Sequence, residues 1–85
     1  MSDIPILDLH GLYRDEAVQM LEDFLFDSRQ KGFTQVEIIT GRGSHSLDGV
    51  PVLKNAVLSY LNMHSFAYTE SNSFLFGGGS LYVYL

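Results

Sequence analysis

Two short polar motifs carry the residues whose types and spacing can do chemistry. The first motif, residues 7–11, reads LDLHG and holds Asp8 and His10 two positions apart. Two such side chains on a strand point to the same side, roughly 6–7 Å apart at about 3.3 Å per residue. An imidazole can move protons near neutral pH, and a neighbouring carboxylate can orient it or act as an acid or base itself. The alternative is a pair of solvated polar side chains at a strand end.

The second motif, residues 40–46, reads TGRGSHS. Its glycines allow backbone N–H groups to converge on an anion, and the planar guanidinium of its arginine matches a phosphate. Its histidine adds a second titratable ring. The motif lacks the ending of a P-loop and the full glycine pattern of a dinucleotide site, so an ordinary glycine-rich turn is the alternative. The candidate phosphate-binding residues are Gly41, Arg42, Gly43 and Ser44, and the candidate catalytic residue is His45.

Hydrophobic periodicity predicts the elements that must position these motifs. Apolar residues spaced by three and four positions predict helices over residues 14–31 and about 50–64, and alternating residues predict strands. The order is βαβαββ, which favours an α/β (α+β) two-layer sandwich with both helices on one face of the sheet. The strands are predicted at residues 4–10, 34–40, 66–70 and 80–85.

Strand alternation divides the side chains between a helix-covered face and an open face. Residues expected to meet the helices are Leu7, Leu9, Val36, Ile38, Leu81 and Val83. Residues expected on the open face are Asp8, His10, Glu37, Tyr82 and Tyr84. Because adjacent parallel strands end on the same sheet edge, where α/β ligand sites usually lie, we expect the two motifs to converge on one crevice.

Length and composition limit the class of protein. The chain has 85 residues, 46% of them hydrophobic, so we expect a single folded domain over residues 1–85. It has no cysteine, which excludes disulfides, thiolate metal sites and a cysteine nucleophile. The absence of a long apolar run or a signal-peptide pattern favours a cytoplasmic location and no membrane partner.

The charge balance is unfavourable for tight, autonomous binding of nucleic acid. The formal net charge is −5, and residues 1–40 carry eight of the ten acidic side chains. A phosphate-bearing partner would be repelled by this first half and tolerated by the second. Lys54, near the start of the second predicted helix, is a further candidate phosphate contact, with a plain surface lysine as the alternative.

The two motifs together resemble the Smr domain, the small MutS-related family. The likeness runs from LDLHG through an amphipathic helix to ITGRGSHS at residues 39–46 and covers essentially the whole chain. It implies a four-stranded mixed sheet similar to the C-terminal domain of bacterial initiation factor three. It also implies nicking or endonucleolytic activity on DNA or RNA, including messenger RNA at stalled ribosomes, although some members only bind. The family's Asp-x-His and Gly-x-Gly-x-His motifs map onto Asp8 and His10 and onto Gly41, Gly43 and His45.

These observations lead to the hypothesis of an endonuclease module with a preference for RNA. His10 would be the general base or acid, Asp8 would orient it, and His45, Arg42 or the backbone of residues 41–43 would stabilise the phosphorane charge. Few carboxylates are available for a two-metal site, so no cofactor is expected, with a divalent metal left open. The alternatives are a DNA-nicking endonuclease, a non-catalytic module that binds nucleic acid or the ribosome, and a protein-interaction domain. Under the first hypothesis the partners are nucleic acid and, through attached domains, the ribosome.

Overall fold

The computed structural model describes residues 3–41, 52–71 and 79–85. The predicted order βαβαββ is confirmed within these ranges, and each element begins and ends within two residues of its expected bounds. The elements are β1 (Ile6–Asp8), α1 (Arg14–Gln30), β2 (Gln35–Ile39), α2 (Val52–Met63), β3 (Ala67–Ser71) and β4 (Ser80–Tyr84).

The four strands form one mixed sheet in the order β1-β2-β4-β3. Strands β1 and β2 are parallel, whereas β4 lies between β2 and β3 and is antiparallel to both. Strands β2 and β3 therefore run in the same direction, as a β-α-β connection requires, although they are not neighbours. The C-terminal ends of β1, β2 and β3 consequently share one edge of the sheet, which we call the upper edge.

The core fills the space between one sheet face and the two helices. The predicted division of faces is confirmed, because cross-strand neighbours such as Val36 with Val83 and Ile38 with Leu81 are buried together. The side chains predicted on the other face are exposed or half-buried. The buried apolar residues are Leu9, Ala17, Leu21, Leu25, Val36, Ile38, Leu53, Val57, Leu61, Leu81 and Val83.

Strand β1 is shorter than the predicted range of residues 4–10, and the turn that follows explains the difference. Asp8 Oδ1 accepts a hydrogen bond from the backbone N–H of His10 at 3.0 Å, which diverts the chain from the sheet. Gly11 then adopts φ +82°, and the N–H of Leu12 donates to the carbonyl of Leu9 at 3.2 Å. A glycine at this φ is typical of the third position of a type II turn.

Helix α1 begins at an unusual cap and ends at a common one. Tyr13 occupies the N-cap position and supplies no capping hydrogen bond from its side chain. At the other end Gly32 has φ +89°, and the N–H of Phe33 donates to the carbonyl of Ser28 at 3.1 Å. This arrangement is a Schellman motif, in which glycine tolerates the left-handed backbone. The Schellman motif therefore fixes the end of α1 that lies far from the upper edge.

Candidate functional site

An exposed aspartate–histidine pair lies where β1 ends at the upper edge. His10 Nδ1 is 2.5 Å from Asp8 Oδ1, and the same oxygen accepts the backbone N–H of His10. The side chain of Asp8 is 47% exposed to solvent, and that of His10 is 69% exposed. Because the ring and the backbone of His10 bond to one oxygen, the imidazole has a fixed orientation with Nε2 as the nitrogen left to meet a ligand.

The pKa of Asp8 is lowered from its ordinary value of 3.8. Partial burial, the largest contribution, raises this pKa, but the hydrogen bonds from the side chain and backbone of His10 and its charge together outweigh it. Asp8 is therefore a carboxylate at neutral pH.

Gly41, the first glycine of the second motif, packs directly against His10, whereas the predicted convergence of Arg42 and His45 concerns residues outside those that the structure describes. Gly41 has φ +78°, and a Cβ built there would lie 3.0 Å from the Cβ of His10. A side chain at this position would be strained by the backbone conformation and would press on the histidine. Gly41 therefore allows the chain at the end of β2 to lie in close contact with the turn that carries His10.

Gly79, the residue just before β4, packs against Gly41 and holds the end of β2 in place. A Cβ built on Gly79 would lie 2.7 Å from the carbonyl oxygen of Gly41, so only glycine fits there. The Gly79 carbonyl accepts hydrogen bonds from the N–H of Thr40 at 2.7 Å, the N–H of Gly41 at 3.1 Å and the hydroxyl of Thr40 at 3.2 Å. Sequence reasoning assigned no role to Thr40 or Gly79. Two features of the sequence could have indicated them: a threonine directly before the first glycine of the second motif, and a run of three glycines before the last strand.

The predicted site residues divide into three groups in the structure. Asp8, His10 and Gly41 are brought together at the upper edge. Lys54 lies in the first turn of α2, and its ammonium group forms an ion pair with the carboxylate of Glu70 on β3. The remaining predicted residues, which lie outside the described residues, are Arg42, Gly43, Ser44 and His45.

The donor atoms near the site are few. Across residues 3–41, 52–71 and 79–85, no three His, Asp or Glu side chains lie close enough together to hold a metal ion. A single carboxylate meets a single imidazole at the described part of the site, which is the donor set of a proton-transfer pair. In the same ranges, neither helix is long and apolar enough to cross a membrane.

The fold and the site together define a small two-layer α/β domain with an exposed Asp–His pair held against glycine at a sheet edge. A model of the Smr domain family matches residues 7–85. This chain belongs to the Smr domain family. The family resemblance and the four-stranded fold expected from the sequence are thereby confirmed.

Known proteins of the family show how the chain compares with its relatives. An Smr domain-containing protein of Schizosaccharomyces pombe is 40% identical over 80 residues, which are 93% of this chain and 36% of that protein. Endonuclease NBR9 of Saccharomyces cerevisiae is 33% identical over 58 residues, 68% of this chain and 24% of that protein. The crystal structure of a human small-MutS related domain superimposes with a TM-score of 0.75 at 40% identity, covering 93% of this chain and 98% of that one. The chain thus spans about a third or less of these two full-length relatives.

Proposed function

We propose that this chain is an endonuclease module that cleaves RNA by metal-independent acid–base chemistry. The observation that carries the proposal is the exposed Asp8–His10 pair packed against Gly41. Its exposure lets a phosphodiester reach His10 Nε2, and the carboxylate supports a positive charge on the ring. The name of the yeast relative, an endonuclease, supports the same class of reaction.

The proposed step is attack of a ribose 2′-hydroxyl on the adjacent phosphate. His10 accepts the 2′-hydroxyl proton at Nε2, the 2′-oxygen bonds to phosphorus, and the bond from phosphorus to the 5′-oxygen breaks. The departing 5′-oxygen takes a proton from water, which leaves a 2′,3′-cyclic phosphate and a free 5′-hydroxyl. Arg42, His45 and the backbone of residues 41–43 are proposed to stabilise the phosphorane charge, as their types and sequence positions suggest.

RNA is the preferred substrate because this step uses the 2′-hydroxyl, which DNA lacks. A two-metal mechanism, which acts on either nucleic acid, needs several carboxylates, and the described residues contain no group of three His, Asp or Glu side chains that could hold a metal ion. The net charge of −5 favours substrate delivery by attached domains or by the ribosome, and a cytoplasmic location would follow from that partner.

The test is cleavage of a defined RNA oligonucleotide in excess EDTA, with a matched strand that carries one 2′-deoxy nucleotide at the cleavage position. We expect cleavage of the first strand, protection of the second, and a cyclic phosphate in the product. The variants D8N and H10A should lose cleavage and keep binding. Full cleavage at the deoxy position would contradict 2′-hydroxyl attack, and complete loss in EDTA would favour a metal.

A non-catalytic binding module is the second candidate. It is favoured by a specific observation, since His10 is the one proton-transfer group that the described residues bring to the upper edge, and no second described group is placed to protonate the departing oxygen. Binding by the unmodified chain without cleavage of any single-stranded or structured RNA or DNA would support this candidate over the enzyme.

A further inference from the structure

The ion pair between Lys54 and Glu70 joins the start of α2 to the end of the edge strand β3. Glu70 lies one residue before the cross-strand row in which Asp8, Ile39 and Ser80 are successive neighbours, so this pair belongs to the upper edge. The Lys54 side chain is only 28% exposed and that of Glu70 is 47% exposed. The charge of Lys54 therefore lies at the same edge as the proposed site, but three strands away from β1, at about 4.8 Å per strand, and it is already paired with a carboxylate.

The other described cations are placed or paired differently. Arg14 starts α1 at the same edge, but its Nε lies 3.7 Å from Asp15 and both side chains are largely exposed, so its charge remains accessible. Lys31 pairs with Asp27 at 2.9 Å at the far end of α1. Among the described residues, Lys54 is thus the upper-edge cation that is both largely buried and paired with a carboxylate.

We propose that Glu70 sets the affinity of the module for nucleic acid by occupying Lys54 as a substitute for a substrate phosphate. This inference rests on the proposed function, because it assigns Lys54 to the path of the substrate backbone. When a phosphate reaches Lys54 it must displace a carboxylate, so one anion replaces another and little electrostatic free energy is gained. Glu70 thereby keeps intrinsic binding weak and leaves substrate selection to whatever delivers the RNA.

The size of the effect follows from the salt dependence of single-strand binding. Each additional phosphate contact steepens the slope of log affinity against log salt by about 0.7, which at 50 mM salt corresponds to about eightfold in affinity. Releasing Lys54 should therefore tighten binding by about three- to tenfold at that salt concentration. The gain should fall as the salt concentration rises.

The test uses Glu70→Gln and a matched control, Asp27→Asn. Each variant raises the net charge from −5 by one unit and releases one lysine, but Lys31 lies at the far end of α1. The probe is a fluorescent, fully 2′-O-methylated RNA of about 12 nucleotides, the length of a small single-strand site, which resists 2′-hydroxyl attack. Binding is followed by anisotropy between about 50 and 200 mM NaCl.

We expect E70Q to bind more tightly by the stated factor with a steeper salt slope, and D27N to change affinity by less than about twofold. The double variant K54Q/E70Q should lose the gain. Equal gains in E70Q and D27N would reduce the effect to net charge and overturn the proposal. No gain in E70Q, a gain that persists in the double variant, or no binding by any of these proteins at the lowest salt would also overturn it.

Two further measurements keep the outcomes distinct. Thermal unfolding of each variant shows whether the domain is folded, and Glu70→Thr, which suits an edge strand, repeats the test if E70Q unfolds. RNA cleavage by the unmodified chain tests the proposed function separately. If the unmodified chain does not cleave RNA but E70Q binds more tightly, the control of affinity by Glu70 is supported and the proposed endonuclease activity is contradicted. If the chain cleaves RNA and E70Q leaves the affinity unchanged, the endonuclease activity is supported and the role of Glu70 is contradicted.

Discussion

The two edges of this domain each carry an exposed histidine, and their surroundings differ. At the upper edge His10 bonds to the carboxylate of Asp8 and packs on Gly41. At the opposite edge His64 follows the end of α2 and stacks on Tyr60, with ring centroids 4.3 Å apart. The first histidine has a proton-transfer partner and a fixed ring, whereas the second has an aromatic neighbour. The imidazole therefore meets a carboxylate and a glycine at one edge and an aromatic ring at the other.

The lower-edge groove that contains His64 has a different chemistry. Arg29 lies over the ring of Phe66, with its Cζ 5.3 Å from the ring centroid, and both residues line the groove with His64. Burial, and then the charges of Glu22 and Asp23, raise the pKa of Tyr60. Its hydroxyl therefore remains protonated through the neutral range. The groove is built by aromatic packing at the helix ends, and its described lining residues form no imidazole–carboxylate hydrogen bond.

Replacing each histidine in turn tests whether the two edges differ in function. His10→Ala should lower the rate of RNA cleavage by about 10²–10⁴-fold, because a positioned proton-transfer group contributes about that much. His64→Ala should change the rate by less than about twofold, since His64 lies far from the pair. Single-turnover cleavage of saturating RNA measures both. Equal losses in the two variants would show that the upper edge is not the reacting site.

The second prediction separates backbone strain from contact with the site. Gly41 and Gly32 both have a left-handed backbone, with φ +78° and +89°, but a Cβ at Gly32 would meet nothing within 4 Å. Alanine at either position should cost about 1–2 kcal/mol in the free energy of unfolding. Only Gly41→Ala should also move His10, lowering cleavage by about tenfold to a hundredfold through misplacement of the ring. Thermal unfolding and cleavage assays on both variants check this.

Cleavage that is unchanged in G41A would contradict the role of Gly41 in positioning His10. Comparable losses of cleavage in G32A and G41A would instead assign the effect to global destabilisation. The Gly32 variant is a suitable control because the Schellman motif that it interrupts lies at the far end of α1.

Much of this architecture could be predicted from residue patterns, and the exceptions have physical causes. Apolar spacing predicted the helices and the two sheet faces, since the period of an element decides which of its side chains share a face. The first strand was predicted too long because alternation continues through His10, whereas the Asp8 side chain captures the His10 N–H and ends the strand. Alternation also cannot tell which strands are neighbours, so it did not reveal that β4 lies between β2 and β3.

The site was predictable only where its residues are close in sequence or follow parallel strands. Asp8 and His10 are two residues apart, and Gly41 follows the neighbouring strand, so topology alone brings them together. The contact between Gly41 and Gly79 and the pair between Lys54 and Glu70 depend on β4 and β3, whose positions were not deducible from periodicity. Contacts that depend on the order of strands therefore appear only in the structure.

The third prediction concerns stability at the lower edge. Helix α2 ends in the same kind of cap as α1, with the N–H of Phe66 donating to the carbonyl of Leu61 at 2.9 Å, but Ser65 occupies the left-handed position with φ +61°. Ser65→Gly should stabilise the domain by about 1 kcal/mol, because glycine avoids the steric cost of a Cβ in this conformation. The melting temperature should rise by about 4–8 °C, with unchanged cleavage. A lower melting temperature would contradict this reading of the cap.

The smallest expected effect is the pH dependence of the Asp8–His10 pair. The pKa of Asp8 is lower in the folded chain than its ordinary value of 3.8, so the folded state favours the carboxylate. The pair therefore stabilises the fold fully above about pH 3.8, and this contribution is lost as the pH falls through the lower, folded value. Because both side chains are largely exposed, the contribution should be less than about 1 kcal/mol.

Carbon-detected NMR titration of the Asp8 carboxyl group measures this shift directly. The midpoint should lie below 3.8 in the unmodified chain and should move upward in His10→Ala, which removes the hydrogen bond from the ring but keeps the one from the backbone N–H. In parallel, the difference in melting temperature between the unmodified chain and Asp8→Asn should shrink as the pH falls below 3.8. His64→Ala should leave the Asp8 midpoint unchanged, since that ring stacks on Tyr60 at the other edge. A midpoint that does not respond to loss of the His10 ring would mean that the imidazole does not hold the carboxylate, and the contrast between the two edges would then rest on the glycine contact alone.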